Sequence, residues 1–165
     1  MKKQKKAFTL VEVLLTIFLV GVMSALGYFY ISITGLKQAE YKTALQSQFN
    51  LIESMVFQCK SLSEQMPNQV GGANALDTNL TDLECNTSTP YSLDGGRNGF
   101  VPIPPVGFTA YKATEVGPTF YISTTADNNS TQDEAFKRLA LNYTSRQAEL
   151  NHSTTTATFK FYLSR

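Results

Sequence analysis

Glu12 is the residue of this chain whose charge is least expected from its surroundings. It is the first acid in the sequence. No Asp, Glu, Lys, Arg or His follows it from Val13 to Leu36, a run of 24 residues closed by Lys37. A carboxylate carried into hydrocarbon costs about 2.5–3.5 kcal/mol on insertion scales. Left alone, it drags its head toward the interface. Beside a cation in low dielectric, it forms a pair that attracts more strongly than the same pair in water. The chemistry open to Glu12 is therefore ion pairing.

Other reactive groups are few. His152 is the single histidine, set in the polar run Asn151-His152-Ser153-Thr154. With no second histidine and no nearby cysteine it makes neither a metal site nor a catalytic base. Residues Asp127-Asn128-Asn129-Ser130-Thr131-Gln132-Asp133-Glu134 place oxygen ligands at alternating positions, as a calcium loop does. They lack the central Gly and the distant bidentate Glu of an EF-hand, so the stretch reads as a solvated loop between two strands. No nucleophile elbow, phosphate-binding Gly loop or metalloprotease helix occurs. The expectation is a non-enzyme with no cofactor and no metal. Sequons such as Asn79-Leu80-Thr81 and Asn142-Tyr143-Thr144 follow from a Thr- and Asn-rich composition.

The element that holds Glu12 is long. At 1.5 Å per residue, the uncharged run spans about 36 Å of helix, enough to cross a bilayer core. A secretory h-region is shorter, roughly 7–15 residues. Ser24-Ala25-Leu26-Gly27 mimics a cleavage site, but apolar residues continue through Tyr28, Phe29, Tyr30, Ile31 and Ile33. Lys2, Lys3, Lys5 and Lys6 precede the run, which keeps the N-terminus cytoplasmic by the positive-inside rule. Of 14 Lys and Arg, these four stand in residues 1–7, where there is no acid. Residues 8–165 therefore hold 10 basic against 13 acidic side chains, a net of −3. That balance offers no footprint for nucleic acid.

Helical spacing continues beyond the apolar run. Leu45, Phe49, Ile52, Val56 and Cys59 recur at +4, +3, +4, +3, with Ala44, Leu51, Met55 and Leu62 widening the stripe. Gln46, Asn50, Glu53 and Lys60 lie opposite. One helix from about residue 8 to 65 is expected, apolar all round in its first half and amphipathic in its second, with Pro67 beyond its end. Residues 67–118 are dense in Gly and Pro and read as an irregular connection with one or two short strands, such as 107–112. Alternation then predicts three strands, carrying Phe120 and Ile122; Leu139, Leu141 and Tyr143; and Ala157, Phe159, Phe161 and Leu163. The fold class is α+β: a long N-terminal helix packed on a small antiparallel sheet. The boundaries are 1–7 leader, 8–36 membrane helix, 37–66 amphipathic half-helix and 67–165 head.

The run Lys5-Lys6-Ala7-Phe8-Thr9-Leu10-Val11-Glu12-Val13-Leu14-Leu15 resembles the class III signal of type IV prepilins and type II secretion pseudopilins. The pattern is a basic leader, a small residue, Phe-Thr-Leu, an acid at the fifth mature position and a long apolar helix. The resemblance implies that a prepilin peptidase cuts between Ala7 and Phe8 and methylates the new Phe8 amine. It implies that Glu12 neutralises the N-terminal amine of a neighbouring subunit during filament assembly. Ala7 stands where the family usually has Gly, and Phe29 where many major pilins have Pro. The implied partners are other pilin or pseudopilin subunits, the prepilin peptidase, an assembly platform and membrane lipid. The implied location is the bacterial inner membrane, with the head periplasmic or extracellular.

Cys59 and Cys85 then lie on the trans side, an oxidising space, where a pair reads as a disulfide sooner than a metal site. Two buried thiols are the alternative. A bridge near the helix end, not around a C-terminal loop, points to a minor subunit. Rival readings are a competence pseudopilus subunit for DNA uptake and a non-polymerising single-pass adhesin or receptor.

Overall fold

The computed structural model describes residues 10–96, 99–128 and 130–164. The chain divides into two compact units, Met1–Lys37 and Gln38–Arg165. Helix α1 runs over Leu10–Ser63. It stops where the chain can no longer continue it. Glu64 takes a left-handed φ of 60°, and its N–H still reaches the Lys60 carbonyl at 2.8 Å. The Ser63 hydroxyl donates to the Cys59 carbonyl at 2.9 Å. Lys60 in the last turn suits the negative end of the helix.

A small three-stranded sheet follows, in the order β1 (Asn68–Gln69), β3 (Leu83–Cys85), β4 (Tyr91–Ser92), all antiparallel. Between its first two strands lie β2 (Thr78–Asn79) and a 3-10 turn at Leu80–Asp82. Next come β5 (Lys112–Val116), β6 (Thr119–Asp127), helix α2 (Thr131–Ala140), β7 (Ala148–His152) and β8 (Thr156–Ser164). The second sheet has the order β2-β5-β6-β8-β7 and is antiparallel throughout. Gly117, at φ 60°, and Pro118 turn β5 into β6, with Val116 paired to Thr119. Positive φ at the first turn position is what a type II′ hairpin requires of a glycine.

The expected α+β architecture holds, and so do the strands placed at Phe120–Ile122 and Ala157–Leu163. Their inward residues Phe120, Ile122, Ala157, Phe159 and Phe161 are buried against the stripe Leu45, Phe49, Ile52, Met55 and Val56 of α1. Phe49 sits among three rings, with centroids 5.5 Å from Tyr111 and 5.4 Å from both Phe159 and Phe161.

Three expectations need correction. The segment with Leu139, Leu141 and Tyr143 is not a strand. Leu139 closes the buried face of α2 with Ala135 and Phe136, Leu141 is 86% exposed, and Tyr143 packs on Phe161 from the turn beyond. The cause is local: the Ser130 hydroxyl accepts from the Asp133 N–H at 3.1 Å, an N-cap that starts a helix. For the same reason 127–134 is not a solvated loop between strands but the end of β6 and the first turn of α2. The short strand expected at 107–112 is also displaced. Phe108 makes only an isolated bridge to Ala126, and the strand starts at Lys112.

Candidate functional site

Glu12 lies in the first turn of α1. From Leu10 to Tyr30 every residue is exposed, and no residue of the most apolar stretch of α1 is buried within the chain. The helix is long and apolar enough to cross a membrane. Water does not tolerate a continuous apolar surface of this size, so lipid or other helices must cover it.

Two threonines of this half of the helix are folded back on the backbone. Thr16 Oγ1 donates to the carbonyls of Glu12 and Val13 at 3.0 and 2.8 Å. Thr34 Oγ1 donates to the Tyr30 carbonyl at 3.0 Å. These two hydroxyls therefore need no outside partner in an apolar environment. That isolates Glu12 as the one formal charge between Leu10 and Leu36. Ala7 and Phe8 fall outside the described residues.

The opposite end of α1 is covalently tied. Cys59 and Cys85 form a disulfide, with Cα atoms 5.5 Å apart and both residues fully buried. The Ser63 hydroxyl lies 3.8 Å from one sulfur and 3.9 Å from the other. The bridge fixes the last turn of α1 to β3, and hence to the small sheet, which has only seven residues in its strands. With a sequence separation of 26, the chain-entropy relation gives about 3.5 kcal/mol of stabilisation. Replacing both cysteines by Ala is expected to lower unfolding free energy by about that amount, read from urea denaturation of the head. A loss below about 1 kcal/mol would show that the bridge restrains little.

Sequence reading missed a buried ionic cluster. The Asp133 carboxylate is fully buried. It meets His152 Nε2 at 2.8 Å and Lys137 Nζ at 3.1 Å. Lys137 also reaches Glu134 at 2.6 Å. Hydrogen bonds that Lys137 donates to Glu134 first and Asp133 second hold its pKa above the ordinary value. The cluster ties α2 to the end of β7, so His152 has a structural partner. The Ser130-x-x-Asp133 spacing was the signal that could have found it. Among the described residues, no group of three or more His, Cys, Asp or Glu is placed to hold a metal ion.

Residues 2–28 match the family model described as the prokaryotic N-terminal methylation motif. No curated protein and no solved structure gives a significant match to the chain.

Proposed function

We propose that this chain, whose residues 2–28 carry the hallmark of type IV pilin-like proteins, is a minor pilin or pseudopilin. It would be a structural subunit of a type IV pilus or a type II secretion pseudopilus. The observation that carries the reading is the motif standing at the head of a helix whose residues from Leu10 to Tyr30 are all exposed. A helix with that surface needs an apolar environment, and this one has two available: the bilayer and a bundle of like helices.

In this reading, residues 1–7 are a leader removed between Ala7 and Phe8 by a prepilin peptidase, which then methylates the Phe8 amine. Residues 8–36 store the subunit in the inner membrane with its N-terminus cytoplasmic. Residues 37–66 and 67–165 form the head on the far side, where the Cys59–Cys85 bridge suits an oxidising compartment. Assembly moves the helix from lipid into a filament core, and Glu12 meets the Phe8 amine of a neighbouring subunit there. The work is mechanical and associative. No step in it needs a catalytic residue, a cofactor or nucleic acid.

The test is the N-terminus of the mature protein. In cells with active prepilin peptidase, mass analysis is expected to find Phe8 first and carrying one methyl group. In cells lacking the peptidase, Met1–Ala7 is expected to remain. Retention of Met1–Ala7 in the presence of the peptidase would sink the reading.

A further inference from the structure

Both helices pack on one face of the five-stranded sheet, through Phe49 and Phe136 against Phe159. The other face holds a recess of about 570 Å³, within the size range of ligand sites. Leu76 and Asp77 wall one part of it and Thr109 another. Its floor is set by strand register. Lys112, Ser123 and Lys160 stand in one row across β5, β6 and β8. Thr125 faces Thr158 across the same two strands, with Tyr121 on the opposite side of the row. At about 4.8 Å between strands, the backbones of the two lysines are about 10 Å apart.

The two ammonium groups are not equivalent. Lys112 Nζ is held by Asp77 at 2.8 Å. Lys160 Nζ lies 5.2 Å from the centre of the Tyr121 ring, and no carboxylate among the described residues pairs with it. Its register neighbour is Glu149, whose carboxylate accepts the Tyr162 hydroxyl. The recess therefore offers one cation with no carboxylate partner among the described residues, hydroxyls in two neighbouring register rows, and the aromatic ring beside that cation.

We propose that this recess binds an acidic oligosaccharide, a short chain of sugars bearing carboxylates. Each part of such a ligand has a counterpart here. A sugar carboxylate accepts a charge-assisted hydrogen bond from Lys160. Sugar hydroxyls exchange hydrogen bonds with Ser123 and Thr158 and donate to Thr125, whose own proton goes to Thr109 Oγ1 at 3.0 Å. The apolar face of a pyranose lies against Tyr121. Nucleic acid would call for a broader basic surface than Lys160 alone supplies. The inference goes beyond the subunit reading and stands independently of polymerisation.

Isothermal titration of the detergent-solubilised full chain with an oligogalacturonate tests it. Its fully methyl-esterified form and a single-stranded DNA of equal charge serve as comparators. Saturable binding of the acid form is expected, weakened about tenfold or more by methyl esterification and by Lys160→Gln, the effect of one charge-assisted hydrogen bond. Circular dichroism and thermal unfolding of Lys160→Gln should match the parent, which separates a lost contact from a lost fold. The proposal is overturned by no saturation at millimolar concentration, or by equal affinity for acid and ester. Equal affinity of the parent and Lys160→Gln, or tighter binding of the DNA than of the saccharide, overturns it as well.

Discussion

Glu12→Val is expected to abolish incorporation into filaments while leaving the protein inserted and its leader removed. The two halves of that result have opposite physical signs. In the bilayer, the substitution removes a charge that costs about 2.5–3.5 kcal/mol to bury, so the membrane form is stabilised. In a filament, the same substitution leaves a neighbour's N-terminal amine without its counter-ion. Breaking a buried pair by deleting one partner costs about 3–5 kcal/mol, so addition of each subunit weakens by roughly 100-fold or more. The measurement is the ratio of variant to parent in sheared or purified filaments, with the membrane fraction and mature N-terminus as controls. Glu12→Gln should behave as Val does, because it keeps the shape and loses the charge. Normal incorporation of either variant would refute the registry role. Thr16 hydrogen-bonds the carbonyl oxygens of Glu12 and Val13 and does not depend on the carboxylate.

The second large effect belongs to the head. Phe49→Ala is expected to destabilise it by about 3–5 kcal/mol, a fall in Tm of roughly 10–20 °C. Phe49 is fully buried, and it is the one α1 side chain whose ring meets Tyr111, Phe159 and Phe161 together. Its removal opens a cavity between the helix and β8 that rigid neighbours cannot fill. Leu51, two residues along and 45% exposed, lies on the other side of the same helix. Leu51→Ala should stay within about 0.5 kcal/mol of the parent in the isolated subunit. If the two variants melt alike, the assigned inward face of α1 is wrong.

The elements legible in the sequence were those whose pattern is repeated often enough to outvote local accidents. The stripe Leu45, Phe49, Ile52, Val56 and Cys59 runs over four turns, and all five side chains are buried. Alternation in Thr119–Asp127 and Thr156–Ser164 extends over nine residues each; Phe120, Ile122, Ala157, Phe159 and Phe161 are buried as expected, Leu163 is half-buried, and the buried Thr124 and Ala126 extend the first set. The failures came from short elements. Leu139, Leu141 and Tyr143 imitate a strand because three residues of period two occur by chance where a helix ends and a turn begins. The helical signal there was chemical, not periodic: Ser130 as cap, Asp133 three residues on, and Lys137 and Arg138 in the last turn. Strand β5 hid for a different reason. Only Ala113 of its five residues is buried, so it carries almost no apolar alternation and is held by its ladder to β6. Near the N-terminus Glu12 is legible because it is the one charged residue between Leu10 and Leu36. The lysine row across β5, β6 and β8 was invisible because its members are 48 residues apart, from Lys112 to Lys160, and only strand order brings them together.

The bridge between Cys59 and Cys85 also reroutes force. Traced through covalent bonds, the shortest path from α1 to strands β5–β8 leaves the backbone at Cys59 and rejoins it at Cys85. Residues 60–84 hang from that path as a side branch. A tug delivered along the helix, as extraction from a bilayer would deliver it, crosses a sulfur–sulfur bond and bypasses the weak hydrogen bonds that join β1 to β3. The two-residue ladder of β1 on β3 is thus spared the tension that its position in the sequence would otherwise impose, and the load passes on through β4 to β5.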